Sequence, residues 1–159
     1  MDLKGDRNMD KNSIVNILIR SQIATVDDIQ GCNENEIKEL EEEIGHSLPT
    51  IYRKFLLDMG HHAGVLFQGT DIFFRSIKGL TQEAKELLEE NQEPFILPDD
   101  AFVFSMHQGY EFNYFKFSEG EDPPVYQYIE GEGNPKLAWN SFSSFLLDGI
   151  NITSKFIKG

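Results

Sequence analysis

Apolar residues in this chain fall first at helical spacing and later at strand spacing, with the change near residue 60. Ile14, Ile17 and Leu18 share one stripe, which predicts a helix over residues 12–22. Thr25 followed by Asp28 is a capping-box signal for a short turn through Ile29, broken by Gly31. Asn33 and Glu36 form the same signal ahead of Ile37, Leu40 and Ile44, and Gly45 suits a left-handed helix end. Leu48-Pro49 opens the next helix, where a first-turn proline sacrifices no hydrogen bond. Tyr52, Phe55, Leu56 and Met59 follow its i, i+3, i+4, i+7 stripe up to Gly60, so this helix is expected in the core.

The later pattern predicts strands over residues 65–68 and 71–75, joined by a Gly69-Thr70 hairpin. A helix over residues 81–91 follows, with Ala84, Leu87 and Leu88 inward, and Pro94 and Pro98 bracket a short extended piece. Three more strands are expected over residues 101–106, 110–117 and 125–129, because Phe102-x-Phe104 and Phe115-x-Phe117 alternate as half-buried strands do. His107-Gln108-Gly109 turns the first into the second, and residues 118–124 form an acidic loop. Residues 131–135 read as a turn, and Trp139 leads into a last helix capped by Asn140 or Ser141. The fold class is therefore α+β: a largely antiparallel sheet packed with helices, N-terminal helices first and a C-terminal helix last. One domain over residues 1–159 is expected, with its core at about 12–150, a loose leader at 1–10 and a tail at 151–159.

Two segments carry a resemblance. One is Glu36-Ile37-x-x-Leu40-Glu41-x-x-Ile44-Gly45-x-x-Leu48-Pro49-x-x-Tyr52-x-x-Phe55-Leu56-x-x-x-Gly60; the other is Trp139-Asn140-Ser141-Phe142-x-x-Phe145-Leu146. Together they resemble the SUKH superfamily, named in part for a yeast regulator of cell-wall synthesis. The stretch from Phe102 to Phe112, with Asp122-Pro123-Pro124-Val125-Tyr126 after it, looks like the central sheet of these proteins. The resemblance covers residues 30–150 and implies a sheet with helices packed against it. Many bacterial members are immunity proteins that neutralise secreted toxins, whereas eukaryotic relatives are linked to cell-wall synthesis and signalling.

Charge narrows the partner. The net charge is −13, and the acids cluster. Residues 27–44 hold eight acids and one lysine, residues 83–100 seven and one, residues 111–132 six and one. Nucleic acid is a poor partner for such a chain, since phosphate binding needs Lys and Arg. A basic protein is a good one, because complementary fields speed and orient encounter. Acids also serve simply to keep a protein in solution, so charge alone does not choose. No apolar run reaches the roughly 20 residues of a membrane helix, so no membrane association is expected. The polar start and the lone Cys32 fit a cytoplasmic, reducing location.

No catalytic constellation emerges. His61 and His62 are adjacent, and no His-x-x-x-His or Cys-x-x-Cys spacing supports a zinc site. Cys32 lacks basic neighbours in sequence that would activate it. Carboxylates are too abundant for any pair to point to acid–base catalysis, and the glycine runs lack the lysine of a phosphate loop. His107 reads either as a polar anchor in a cleft or as a turn residue bonded to backbone. The phenylalanines at 102, 104, 112, 115 and 117 read either as core or as the lining of a cavity. No enzyme activity, cofactor or metal ligand is expected.

The resemblance makes an immunity protein the leading expectation: it binds a cognate secreted or contact-delivered toxin domain, basic and nuclease-like. A regulatory interaction scaffold is the alternative. Partner contacts are expected in the third acidic segment, through Tyr110, Glu111, Glu119, Glu121, Asp122, Tyr126, Glu130 and Glu132. Tyr114 and Tyr128 are further interface candidates, because tyrosine combines apolar area with a hydroxyl. The acids of residues 119–122 are expected to act as a steering rim that folding does not need.

Overall fold

The computed structural model describes residues 13–158. The expected leader, the start of the first helix and the last residue lie outside the described residues. The elements run α1 (Ile14–Arg20), β1 (Ile29–Gln30), α2 (Glu34–Ile44), α3 (Thr50–Met59), β2 (His62–Ala63), β3 (Thr70–Asp71), α4 (Phe74–Ile77), α5 (Leu80–Glu90), β4 (Ala101–His107), β5 (Glu111–Lys116), β6 (Val125–Ile129), β7 (Lys136–Trp139) and α6 (Phe142–Lys158). This is an α+β fold closed by a C-terminal helix. A five-stranded antiparallel sheet, ordered β3-β4-β5-β6-β7, forms its centre, and β1 and β2 pair separately.

Local signals build the first helices as the sequence leads one to expect. Asn33 and Glu36 exchange both capping-box hydrogen bonds at the start of α2. Gly45 ends it at φ 75°. Glu41 then fixes the corner into α3: its Oε2 accepts the Leu48 N–H at 2.6 Å and pairs with the Arg53 guanidinium at 2.5 Å. Tyr52, Phe55, Leu56 and Met59 are all buried. Around the Tyr52 ring stand Phe55, Phe102, Phe104, Phe115 and Phe142, with centroids 5.2–6.2 Å away. The phenylalanines of β4 and β5 are therefore core.

The Tyr52 hydroxyl is buried with no hydrogen-bond partner among the described residues. Burial, with the Cys32 thiol adding to it, holds its pKa well above the usual phenol range. An unpaired buried hydroxyl costs stability rather than adding it. Tyr52→Phe should therefore leave the unfolding free energy unchanged or raise it by about 1 kcal/mol in urea denaturation. A loss above that would reveal a bond to the hydroxyl.

Three stretches differ from the sequence pattern. Residues 65–68 form turns, not a strand, because Phe67 takes a left-handed φ of 55°. Residues 71–75 split into the end of β3 and the start of α4, and β3 pairs with β4 rather than with residues 65–68. Residues 136–139 form β7, and α6 continues to Lys158 where a tail was expected. The short β3 covers only one end of β4. Along the rest of that edge lies α5, whose Thr81 Oγ1 accepts the Val103 N–H at 3.1 Å. Asn91, after α5, donates to the Tyr128 hydroxyl at 2.9 Å on the sheet face opposite Tyr52.

Candidate functional site: an aromatic groove beside the C-terminal helix

The sheet register separates the eight predicted contact residues into two groups. Tyr110, Glu111, Glu130 and Glu132 gather at the end where β4 turns into β5 and β6 into β7, and the Glu130 N–H bonds the Tyr110 carbonyl at 2.9 Å. Glu119, Glu121, Asp122 and Tyr126 belong to the opposite end, roughly 20 Å away along the six residues of β5.

The second group is bonded inward. Tyr126 donates to Glu119 at 2.9 Å, and Lys116 stands 3.4 Å from the same carboxylate. Burial, then the Glu119 bond, pushes the Tyr126 phenol pKa up. Pro49 gives α3 no side-chain cap, and the Glu121 backbone carbonyl takes one of its free N–H groups from a distance. Its carboxylate accepts from the Thr50 hydroxyl at 2.8 Å, and its carbonyl accepts the Ile51 N–H at 3.1 Å. Asp122 does the same for α6, accepting the Ser143 N–H at 2.9 Å and the Ser143 hydroxyl. The acidic loop thus caps two helices, which corrects the expectation of a rim that folding does not need. Asp122→Ala should cost about 0.5–2 kcal/mol in denaturant unfolding. A change near zero would show that the cap is idle.

Tyr114 and Tyr128 are buried at 3% and 1% exposure, which removes them as surface contacts in this structure. His107 accepts or donates at Nδ1 with the Thr70 hydroxyl, 2.9 Å away, and packs its ring edge on Tyr110. It joins β3 to β4 rather than standing free in a cleft.

On the Tyr52 side of the sheet a groove of about 620 Å³ opens between the strands and the second half of α6. Ser105, Asn113 and Gln127 lie opposite one another on β4, β5 and β6 and line its floor. Its walls include Phe67, Trp139, Phe145, Ile152 and Phe156. Phe67 stacks on Phe145 at 5.4 Å, and Trp139 meets the same ring edge-on at 5.0 Å. Gly149 makes this arrangement possible, since a Cβ there would lie 2.5 Å from the Phe67 ring. Two carboxylates, Glu111 and Asp148, border the groove, and among the described residues no Lys, Arg or His lines it. Asp148 is oriented by the Trp139 indole N–H at 3.2 Å. The exposed Lys136, opposite Gln127 on the edge strand, stays outside the lining.

Two properties of the groove are those of a binding surface. Asn113 donates to Ser105 at 2.9 Å, but its own Oδ1 is buried without a partner among the described residues. Such a group costs about 1–3 kcal/mol, and costs of this kind gather at functional sites. Along α6, Phe142, Phe145, Leu146 and Ile150 are buried, yet Ile152 is 58% and Phe156 89% exposed. The helix runs past the core and presents an apolar face to solvent beside the groove. Its last-turn Lys155 and Lys158 complement the helix C-terminus.

One further cluster holds metal-ligating chemistry. Cys32, Glu36 and His61 place a thiol, a carboxylate oxygen and a ring nitrogen within 4.8 Å of one another. Sequence spacing gave no hint of it, because the β1–β2 pairing brings His61 to the other two.

The SUKH family profile described as SMI1-KNR4 cell-wall matches residues 34–146. That span runs from the start of α2 into α6 and covers more than half of the chain, and the chain belongs to this family. No curated protein matches the sequence. Family membership supports a protein-interaction role of the immunity or SMI1-KNR4 kind. Among the described residues no helix is long and apolar enough to cross a membrane.

Proposed function

We propose that this chain is a cytoplasmic immunity protein that binds and neutralises a cognate toxin domain of basic character, without turnover. The groove beside α6 is its binding centre. The observation that carries this reading is the apolar face of α6 that no described residue covers, with Phe156 and Ile152 standing beside an aromatic groove whose charged lining residues among the described ones are both carboxylates. A desolvated aromatic centre slows dissociation, and surrounding charge sets encounter. Glu111 belongs both to the groove and to the acidic sheet end with Tyr110, Glu130 and Glu132. These residues form the steering side of the interface. Glu121 and Asp122 support it by holding α3 and α6, and the Glu119–Tyr126 bond ties the acidic loop to the sheet.

The test is co-purification of this chain with the product of the neighbouring gene, followed by binding kinetics. Reversing Glu111, Glu130 and Glu132 to lysine should slow association by about tenfold at low salt and weaken its salt dependence. Unchanged association at low and moderate salt would place the interface elsewhere, with α2 as the next surface to examine. Failure of any basic polypeptide to co-purify would remove the immunity reading itself.

A further inference from the structure

The β1–β2 ladder sets Ile29 opposite Ala63 and Gln30 opposite His62. It lays the segment before α2 against the segment after α3. Two glycines permit the approach. A Cβ on Gly31 would lie 1.7 Å from the Leu57 carbonyl oxygen, and one on Gly60 would lie 2.5 Å from the Cys32 sulfur. The Cys32 N–H donates to the Leu56 carbonyl at 2.8 Å, and the His61 N–H to the Gln30 carbonyl at 2.8 Å. Backbone bonds therefore fix both residues independently of their side chains.

Cys32 is 6% exposed, and its thiol makes no hydrogen bond among the described residues. His61 Nε2 stands 2.9 Å from both oxygens of Glu36. One of those oxygens, Oε1, also accepts the Asn33 N–H at 2.9 Å, so the carboxylate is held in place and Oε2 carries no second bond. His61 and Glu36 are partly open to solvent, with side-chain exposures of 35% and 28%.

We propose that Cys32, Glu36 and His61 form a Zn²⁺ site whose fourth position faces solvent. The donor set is one thiolate, one imidazole and one carboxylate, which suits zinc and disfavours the oxygen-seeking Mg²⁺ and Ca²⁺. Tetrahedral zinc with bonds of about 2.0–2.3 Å sets its ligand atoms about 3.3–3.6 Å apart. The observed separations, from 2.9 Å between His61 and Glu36 up to no more than 4.8 Å, bracket that spacing. In the metal-free protein burial, then the Glu36 charge, pushes the Cys32 thiol up to about 12. A divalent ion inverts that field. Zinc bonds the sulfur, the thiol proton leaves to solvent, and ion, thiolate and carboxylate together are neutral, so the charge penalty of burial is removed. His61 gives up the Nε2 hydrogen that faces Glu36 and, as the neutral Nδ1–H tautomer, contributes its Nε2 lone pair. The Asn33 N–H stays on Oε1 as the outer-shell bond that orients the carboxylate. The ion would tie the start of α2 to the exit of α3, and it requires nothing of the groove.

Titrating the full chain with Co²⁺ under reducing conditions tests the site. The expected result is one Co²⁺ per chain, with tetrahedral visible bands and a near-ultraviolet thiolate-to-metal band, displaced by stoichiometric Zn²⁺. Cys32→Ser should lose the thiolate band. His61→Gln and Glu36→Gln should bind at least about tenfold more weakly. Glutamine keeps the capping-box acceptor, so the metal-free melting temperature of Glu36→Gln should stay close to wild type. Zn²⁺ should raise the melting temperature of wild type and not of the variants. A pale octahedral spectrum without the thiolate band would overturn the site, as would Cys32→Ser binding as tightly as wild type. The wild-type spectrum decides alone if a variant fails to fold.

Discussion

Replacing Ile152 by Asp and Phe156 by Ala together is expected to weaken partner binding by at least about a hundredfold and to leave folding intact. Both side chains are largely solvent-exposed, and surface substitutions of this kind usually change stability by no more than about 0.5 kcal/mol. At the hot spot of an interface the same truncations act on desolvated contacts and cost about 2 kcal/mol or more per residue. A hundredfold corresponds to about 2.7 kcal/mol, within reach of two such residues. The change should appear mainly in the dissociation rate, in contrast to the association-rate effect of reversing Glu111, Glu130 and Glu132. Binding kinetics and a melting curve on the same preparation separate the two contributions. A double variant that binds as wild type would show that the apolar face of α6 is not part of the interface.

The largest stability effect is expected at Phe55. It is 2% exposed and packs between Tyr52 and Phe142, at centroid distances of 6.0 and 5.8 Å. Phe142 opens α6, so this contact joins the α2–α3 corner to the C-terminal helix. Phe55→Ala removes a full ring and leaves a cavity among other rings that cannot collapse freely. The cost should be about 3–5 kcal/mol in denaturant unfolding. A cost below about 1 kcal/mol would mean that the α3 stripe does not face the core. Neither Phe55 nor Phe142 lines the groove, so partner binding should weaken only as far as the folded fraction falls.

The parts of the fold that were legible in the sequence are those with local determinants. The capping box of Asn33 and Glu36, the left-handed Gly45 and the stripe from Tyr52 to Met59 each involve residues within one or two turns. The strands carrying Phe102, Phe104 and Phe115 were legible for the same reason. Residues 65–68 were not, because apolar Val65, Leu66 and Phe67 resemble a strand while their backbone is set by a tertiary contact. Phe67 turns left-handed to reach Phe145 across the notch at Gly149. β7 hid behind a run of turn residues, because a four-residue edge strand has little periodicity to show.

The site was legible only in fragments. Glu111 is the one predicted contact residue that lines the groove. Asp148, Trp139 and Phe156 join it through the packing of α6 on the sheet. Acid content drew attention to residues 119–122, but charge along a sequence does not reveal what a carboxylate bonds. The Asp122 carboxylate caps α6 and the Glu121 carboxylate holds the Thr50 hydroxyl at the start of α3, more than 20 residues away in either direction. Cys32 and Glu36 are only four residues apart in sequence, whereas His61 reaches them only through the β1–β2 ladder.

The most direct measurement of the central claim is growth of cells that co-express this chain with the product of its neighbouring gene, tested as the toxin. Wild type, the Ile152→Asp/Phe156→Ala variant and Glu111→Lys should be compared at matched, folded levels. The account predicts full protection by wild type, loss of protection by the α6 variant, and a smaller, salt-sensitive loss of affinity for Glu111→Lys measured on the purified pair. Protection by the α6 variant equal to wild type would contradict the groove as the binding centre, and no protection by the folded wild-type chain would contradict toxin neutralisation.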